Sequence, residues 1–132
     1  MKTVLILDDE QVVRESFSDF FEDRQWHTVT AESAEEALEL LKNESPDGAV
    51  VDVRLPGMDG GDFIREAIRR KIRMAYVICT GSPEYFVPKD LAAQPCVSEN
   101  LFKKPVIYLS ELETEIIRIM DKLSAAEDRG GT

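Results

Sequence analysis

Cysteine and histidine are scarce in this sequence, and their scarcity excludes several kinds of site. Cys79 and Cys96 are its only cysteines, and their spacing suits neither a zinc site nor a redox motif. Two isolated cysteines favour a reducing compartment. The single histidine, His27, has no second imidazole or neighbouring thiol with which to bind a metal ion, and we expect it at the surface.

Long apolar runs are also missing. The longest are a few residues, far below the roughly 20 needed to span a bilayer. The apolar part of the N-terminal stretch MKTVLILDDE is too short for a signal peptide, and acidic residues follow it directly. We therefore expect a cytoplasmic protein without a membrane segment.

Basic residues are outnumbered, with 16 Lys and Arg against 26 Asp and Glu and a net charge of −10. Such a charge repels nucleic-acid phosphates and anionic lipids, so we expect neither as a partner. A local basic run from Arg65 to Arg73 is expected at a helix C-terminus, where the dipole favours cations, or alternatively as a docking site for an acidic partner.

What the sequence does contain is one domain of 132 residues, 43% hydrophobic and 32% charged. Short apolar runs alternate with amphipathic helical patterns, which predicts a doubly wound parallel sheet with helices on both faces. The expected strands are Thr3–Leu7, Trp26–Ala31, Ala49–Val53, Met74–Cys79 and Leu101–Phe102. The last helix is expected from about Val106 to residue 124, followed by a flexible tail or linker at residues 125–132.

The segment from Gly81 to Asn100 breaks this pattern. Pro83, Pro88 and Pro95 fragment any helix there and leave room for one short helical piece around residues 89–93. The fourth helix is therefore expected to be irregular or shortened. The segment is either an irregular connector or a mobile element that becomes ordered on modification or partner binding.

Polar residues stand where the predicted strands end. In parallel sheets these ends share one edge, at which ligands bind. Each residue alone has an ordinary interpretation, as a helix cap, turn residue or solvated side chain, but together they converge on one site. They are Asp8 and Asp9 after the first strand, Asp52 after the third, Thr80 after the fourth and Lys104 after the fifth.

This set of residues suits phosphoryl transfer. Convergent carboxylates repel each other unless a cation is present, and an all-oxygen cluster favours Mg²⁺. A carboxylate can act as the nucleophile and form an acyl phosphate. Lys104 would supply positive charge to one phosphoryl oxygen, and the Thr80 hydroxyl a hydrogen bond to another.

Four segments carry a resemblance to a known family: the acidic pair in ILDDE, the segment VVDVRLPGMDGGDF, ICTG at the end of the fourth strand, and Lys104-Pro105 in LFKKP. Over about residues 2–124 the chain resembles the receiver domain of two-component response regulators. The resemblance implies a flavodoxin-like fold with strand order 2-1-3-4-5 in residues 1–124. It also implies a signalling switch, stand-alone or part of a longer regulator, that accepts a phosphoryl group on Asp52.

The resemblance further implies a ligand set and partners. Mg²⁺ or Mn²⁺ would be held by Asp9, Asp52 and the backbone carbonyl of Arg54, with Asp8 acting through water. A cis peptide is expected before Pro105. The implied partners are a sensor histidine kinase or phosphotransfer protein and a downstream protein or effector domain, and the last helix with its neighbouring strand could form a homodimer face.

The fifth strand shows one departure from the family pattern, at Leu101. Leu101 stands where many members carry an aromatic residue that moves inward with the switch hydroxyl of Thr80, so a signal based on such a ring is not expected. Phe102 has the opposite orientation and should pack in the core. Lys103 and Lys104 point to opposite sides of the strand, and Lys103 is expected to be solvated.

Two other functions use related features. A Mg²⁺-dependent phosphohydrolase with an aspartyl phosphate intermediate carries a second acid two residues after its nucleophile, but that position is Arg54. A flavodoxin cradles a phosphate after its first strand, where Asp8, Asp9 and Glu10 would repel one. The sequence therefore favours a switch that catalyses only its own phosphorylation and dephosphorylation.

Overall fold

Five short apolar segments pair into one parallel sheet in the computed structural model, which describes residues 1–130, with side chains as far as Glu127. The strands are β1 (Thr3–Leu7), β2 (His27–Ala31), β3 (Gly48–Asp52), β4 (Ala75–Thr80) and β5 (Phe102–Lys103). Their order in the sheet is β2-β1-β3-β4-β5, as the family resemblance implies. Because every pair is parallel, all five strands end at the same edge.

Four helices connect the strands, and a fifth follows the last strand. They are α1 (Gln11–Asp23), α2 (Ala34–Leu40), α3 (Gly60–Arg69), α4 (Lys89–Ala92) and α5 (Leu109–Gly130). Side-chain caps fix two of the starts: the Ser33 hydroxyl accepts the amide of Glu36 at 3.1 Å, and the Asp59 carboxylate accepts that of Asp62 at 2.8 Å. No helix in residues 1–130 is both long and apolar enough to cross a membrane.

The central strands β1, β3 and β4 are buried on both faces, which explains why they are almost entirely apolar runs. Along β1, Leu5 and Leu7 belong to one buried cluster, whereas Val4 and Ile6 belong to the other. The first cluster includes residues of α2, α3 and α4, and the second includes residues of α1 and α5. Helices therefore cover both faces, as predicted.

Several boundaries differ from the sequence-based expectation. Strand β5 is displaced by one residue, to Phe102–Lys103, and α5 begins at Leu109 rather than near Val106. Helix α5 also continues through Gly130 instead of ending near residue 124, because residues 124–129 include two alanines and no glycine or proline. The expected flexible tail is thus helical as far as residue 130, and residues 131 and 132 lie outside the described part.

The irregular segment between β4 and β5 contains only the four-residue α4, as its prolines predict. It is nevertheless attached to its surroundings. Arg65 of α3 makes a two-pronged ion pair with Asp90, with N–O distances of 2.7 and 3.0 Å. At the other end, the buried Glu115 of α5 accepts hydrogen bonds from Ser98 and Asn100. This segment therefore makes specific polar contacts with two longer helices.

The basic run on α3 is largely used within the fold. Arg69 and Arg70 pair with Glu66, and the Arg73 guanidinium donates to the backbone carbonyl of Leu123 at 2.7 Å. These contacts support the interpretation of the run as a helix C-terminus rather than as a docking site.

Two adjacent glycines at the start of α3 have different surroundings. A methyl group on Gly60 would collide with the backbone carbonyl oxygen of Asp52, whereas one on Gly61 would meet only side-chain atoms, of Arg65 at 3.3 Å, Asp59 at 3.4 Å and Leu91 at 3.8 Å. The amide of Gly60 also donates to Val53 at 2.9 Å. Gly60 thus lets α3 pack directly against the backbone at the end of β3.

We predict that Gly60→Ala lowers the free energy of unfolding by about 1–3 kcal/mol, because the clash is with backbone that cannot rotate away. Gly61→Ala is the matched control and should be neutral or stabilising by less than about 1 kcal/mol, since alanine favours the helix. Urea unfolding of both variants measures the difference. Equal effects would show that the close packing at Gly60 is unimportant.

Candidate functional site

The polar residues predicted at the strand ends do meet at one edge of the sheet. Asp8 directly follows β1, and Asp52 and Thr80 are the last residues of β3 and β4. Lys104 follows β5, where its amide donates to the Thr80 carbonyl at 2.8 Å. The peptide bond between Lys104 and Pro105 is cis, as the resemblance implies.

Lys104 joins the carboxylates of this site. Its ammonium nitrogen lies 2.6 Å from Asp8, 3.4 Å from Asp52 and 3.7 Å from Glu10. Both aspartates are buried, with only 2% of Asp8 and 5% of Asp52 exposed. Burial opposes the charge on Lys104, but the hydrogen bond and charge of Asp8, together with Asp52, raise the pKa of the lysine overall.

Asp52 is the carboxylate whose protonation is most affected. Burial and the negative charge of Asp8 raise its pKa to about 6, against the opposing attraction of Lys104. At neutral pH Asp52 is therefore mostly ionised and able to act as a nucleophile. Its ionised form carries a cost that a nearby cation would relieve.

An acidic cluster borders Asp52. Carboxylate oxygens of Asp8, Asp9 and Glu10 lie within 4.8 Å of one another, with Asp8 buried and the other two exposed. The Asp8 carboxylate also accepts the amide of Glu10 at 2.9 Å, which fixes the turn. Glu10 is a member that the sequence analysis did not select, although it is the third consecutive acid after β1.

The donor chemistry of this cluster fits a hard divalent cation. Its donors are carboxylate oxygens only, and two of the three are open to solvent. Mg²⁺ prefers oxygen ligands and retains several waters, so partly exposed carboxylates suit it. The predicted contributions of Asp52 and of the Arg54 backbone carbonyl remain predictions.

Beside the carboxylates lies a cleft of about 510 Å³, whose opposite wall is formed by the loop after β4. The Thr80 hydroxyl oxygen accepts the amide of Ser82 at 3.1 Å, so its own hydrogen can be donated into the cleft. The Arg54 guanidinium reaches across the rim to the Ser82 hydroxyl at 3.3 Å. Ser82, two residues after Thr80, is a cleft residue that the sequence analysis missed.

The side chains at and just before β5 have separate surroundings. Leu101 is half-buried against the cluster that contains α3 and α4, and it does not line the cleft beside Asp52. Phe102 packs against the opposite cluster, with α1 and α5. Lys103 is exposed, but its ammonium group contacts three backbone carbonyls of the loop after β4 and is not merely solvated.

Comparison with known families decides what kind of domain this is. The model of the response regulator receiver domain matches residues 4–113, most of the chain. The chain belongs to the response regulator receiver domain family. It is thus a signalling domain of the phosphorylation-dependent switches in two-component systems.

Curated relatives share the receiver domain within longer proteins. The receiver is 32% identical over 93% of its length to a protein-glutamate methylesterase/protein-glutamine glutaminase 2 of Oleidesulfovibrio alaskensis, of which it covers 35%. It is 37% identical over 61% of its length to the transcriptional regulatory protein AfsQ1 of Streptomyces coelicolor, again covering 35%. The chain therefore spans about a third of the length of these relatives.

Solved structures support the fold. A receiver domain protein from Methanospirillum hungatei superposes with a TM-score of 0.80 at 22% identity, covering 96% of this chain and 98% of that one. The response regulator TrrA of Thermotoga maritima, solved in complex with Mg²⁺-BeF, gives a TM-score of 0.75 at 24% identity, covering 90% and 99%. At these identities the likeness concerns the fold alone.

The raised pKa of Asp52 predicts how this receiver's stability depends on pH. Between about pH 4 and 6 the folded state holds a proton on Asp52 that the unfolded state has lost, so this group lowers stability as the pH rises. In EDTA at pH 7, Asp52→Asn should therefore raise the free energy of unfolding by about 1–2 kcal/mol.

The gain should shrink as the pH falls from 7 towards 4, because the folded state then holds Asp52 in its protonated, neutral form and no longer bears the cost of its buried charge. Urea unfolding at several pH values measures it, with Asp19→Asn on the exposed face of α1 as the control. A stabilisation independent of pH, or equal in the control, would contradict the assignment.

Proposed function

We propose that this receiver accepts a phosphoryl group on Asp52 and changes its protein contacts in response. The observation that carries the proposal is the convergence of a buried, ionisable Asp52 with Lys104 and Thr80 around one cleft. One carboxylate oxygen of Asp52 would attack phosphorus in a phosphohistidine or an acyl phosphate. The bond from phosphorus to the imidazole nitrogen or carboxyl oxygen breaks, and its electron pair leaves with the donor.

Lys104 and Thr80 have separate tasks in this reaction. The ammonium group of Lys104 already faces Asp52, so it can bind a phosphoryl oxygen there once one is transferred. The Thr80 hydroxyl can donate to another phosphoryl oxygen while its own oxygen accepts the hydrogen bond from the Ser82 amide. Both contacts favour the phosphorylated form over the free carboxylate.

We propose Mg²⁺, or Mn²⁺ in its place, as the cofactor, held by Asp9, Asp52 and the Arg54 backbone carbonyl, with Asp8 acting through water. The acidic cluster supports this and adds Glu10 as a neighbouring carboxylate. When bound, the cation would neutralise negative charge that accumulates on the transferred group.

The proposed donor is a sensor histidine kinase or a phosphotransfer protein. An apolar recess beside the site supports docking of such a protein, because it is lined by Val12, Val13, Phe17, Pro105 and Val106. Val12 is 78% exposed, which is unusual for a valine on a helix. The output partner would be a downstream protein or an effector domain, or a second copy joined through α5 and β5.

Free cysteines at positions 79 and 96 support a cytoplasmic location, since reducing conditions maintain them. We propose that the receiver, whether stand-alone or part of a longer regulator, catalyses only its own phosphorylation and dephosphorylation. The phosphohydrolase alternative would need an acid two residues after Asp52. That position is Arg54, whose side chain contacts Ser82.

The phosphorylation proposal predicts that acetyl phosphate with Mg²⁺ adds one phosphoryl group, detected by intact mass. Asp52→Asn should abolish the gain, because it removes the proposed nucleophile, whereas Asp19→Asn should retain it. EDTA should prevent it in every variant. A gain that persists in Asp52→Asn would place the phosphoacceptor elsewhere.

For the cofactor, we predict that Asp9→Asn weakens Mg²⁺ binding by about tenfold or more, because a neutral amide replaces an exposed carboxylate ligand. Isothermal titration calorimetry of the unphosphorylated receiver measures the affinity. Glu44→Gln, remote from the cluster in sequence and in the sheet, is the control. Unchanged affinity in Asp9→Asn would remove Asp9 from the ligand set.

A further inference from the structure

The wall of the cleft opposite Asp52 has few backbone hydrogen bonds of its own. Ser82, Pro83 and Glu84 line it, and they belong to the stretch 81–87, which has no helix or strand. Within this stretch, the described backbone hydrogen bonds comprise a single long one, from the Tyr85 amide to the Ser82 carbonyl at 3.4 Å. Contacts from outside the loop must therefore hold the wall.

Lys103 provides such contacts. Its ammonium nitrogen lies 2.9 Å from the carbonyl oxygen of Ser82 and 3.2 Å from those of Pro83 and Tyr85. An ammonium group has three hydrogens, so each can be matched with one carbonyl oxygen. No carboxylate among the described residues forms an ion pair with Lys103, so these three oxygens are its partners in the fold.

Ser82 connects this contact to the phosphorylation site. Its carbonyl accepts from Lys103, its amide donates to the Thr80 hydroxyl at 3.1 Å, and its own hydroxyl accepts from Arg54 at 3.3 Å. A displacement of Ser82 would therefore change the orientation of the Thr80 hydroxyl and open the rim at Arg54. The two consecutive lysines thus have different partners, Lys104 the carboxylates and Lys103 the facing wall of the cleft.

We propose that Lys103 is a positioning residue that holds the wall of the cleft against water and thereby prolongs the life of a phosphoryl group on Asp52. This inference rests on the proposed function. In the step it slows, a water oxygen bonds to phosphorus and the bond from phosphorus to the Asp52 oxygen breaks. Asp52 regains its carboxylate, and the water protons pass to the released phosphate and to solvent.

The first arm of the test uses the unphosphorylated receiver and does not depend on phosphorylation. Hydrogen exchange read by mass spectrometry reports on a peptide covering residues 81–87. Lys103→Met keeps the length of the side chain but removes its donors, so exchange of the Ser82 and Tyr85 amides, the two in this stretch that donate hydrogen bonds, should quicken by about tenfold. Lys122→Met, which removes a lysine from the exposed face of α5, should leave it unchanged.

The second arm measures loss of the phosphoryl group after acetyl phosphate is removed. Lys103→Met should lose it about threefold faster or more, because the open wall admits water to Asp52. Lys103→Arg keeps the charge and several donors, so it should give rates between those of Lys103→Met and the native receiver. A purely structural role would predict neither this rescue nor exchange changes confined to residues 81–87.

The outcomes separate the two proposals. Unchanged exchange in Lys103→Met overturns the role of Lys103 in holding the wall. Faster exchange with an unchanged rate of phosphoryl loss overturns its effect on the lifetime. If the native receiver takes up no phosphoryl group at all, the proposed function fails, and the inference about the lifetime fails with it. The hydrogen-exchange measurement still tests whether Lys103 holds the wall of the cleft.

Discussion

The ammonium group of Lys104 lies between two buried carboxylates, and the arrangement of the site depends on this charge. Asp8 and Asp52 have almost no exposure to water, and burial together with the negative charge of Asp8 opposes ionisation of Asp52. Lys104 offsets part of that repulsion through its contacts at 2.6 and 3.4 Å. The pKa of Asp52 nevertheless stays at about 6. Its carboxylate is ionised at neutral pH, and additional positive charge nearby would stabilise this ionised form.

The parallel sheet brings these groups together. Each residue terminates or follows a different strand, and the strands are joined through helices that cover both faces of the sheet. Helix α3 begins at Gly60, where the absence of a side chain allows close packing against the backbone of Asp52. The position of Asp52 is therefore set both by β3 and by the helix that follows its loop.

The side of the site formed by β4, β5 and the irregular segment is organised differently. With Leu101 half-buried where many family members have an aromatic residue, polar contacts are the more evident connection between the cleft and its surroundings. Lys103 holds the start of the segment, Arg65 holds α4, and Glu115 holds Ser98 and Asn100. These contacts anchor the segment at three separate places, to β5, to α3 and to α5.

The sequence alone was enough to predict the alternation of strands and helices, the parallel sheet and the location of four site residues at the strand ends. These residues are Asp8, Asp52, Thr80 and Lys104. The prediction was possible because apolar periodicity is local and because parallel strands end at one edge. Its boundaries were less accurate at β5, which is only two residues long, and at α5, where helix propensity carries the chain beyond the last core residue.

Only the tertiary structure decided which distant residues meet. Ser82 and Glu10 entered the site through loop conformations, and Lys103 found three carbonyl oxygens of a loop about twenty residues earlier. Glu113 and Glu115 are buried on α5 because Arg24 and Trp26 bind the first and Ser98, Asn100 and Arg118 bind the second. Such contacts depend on long-range geometry, which no local pattern of residues encodes.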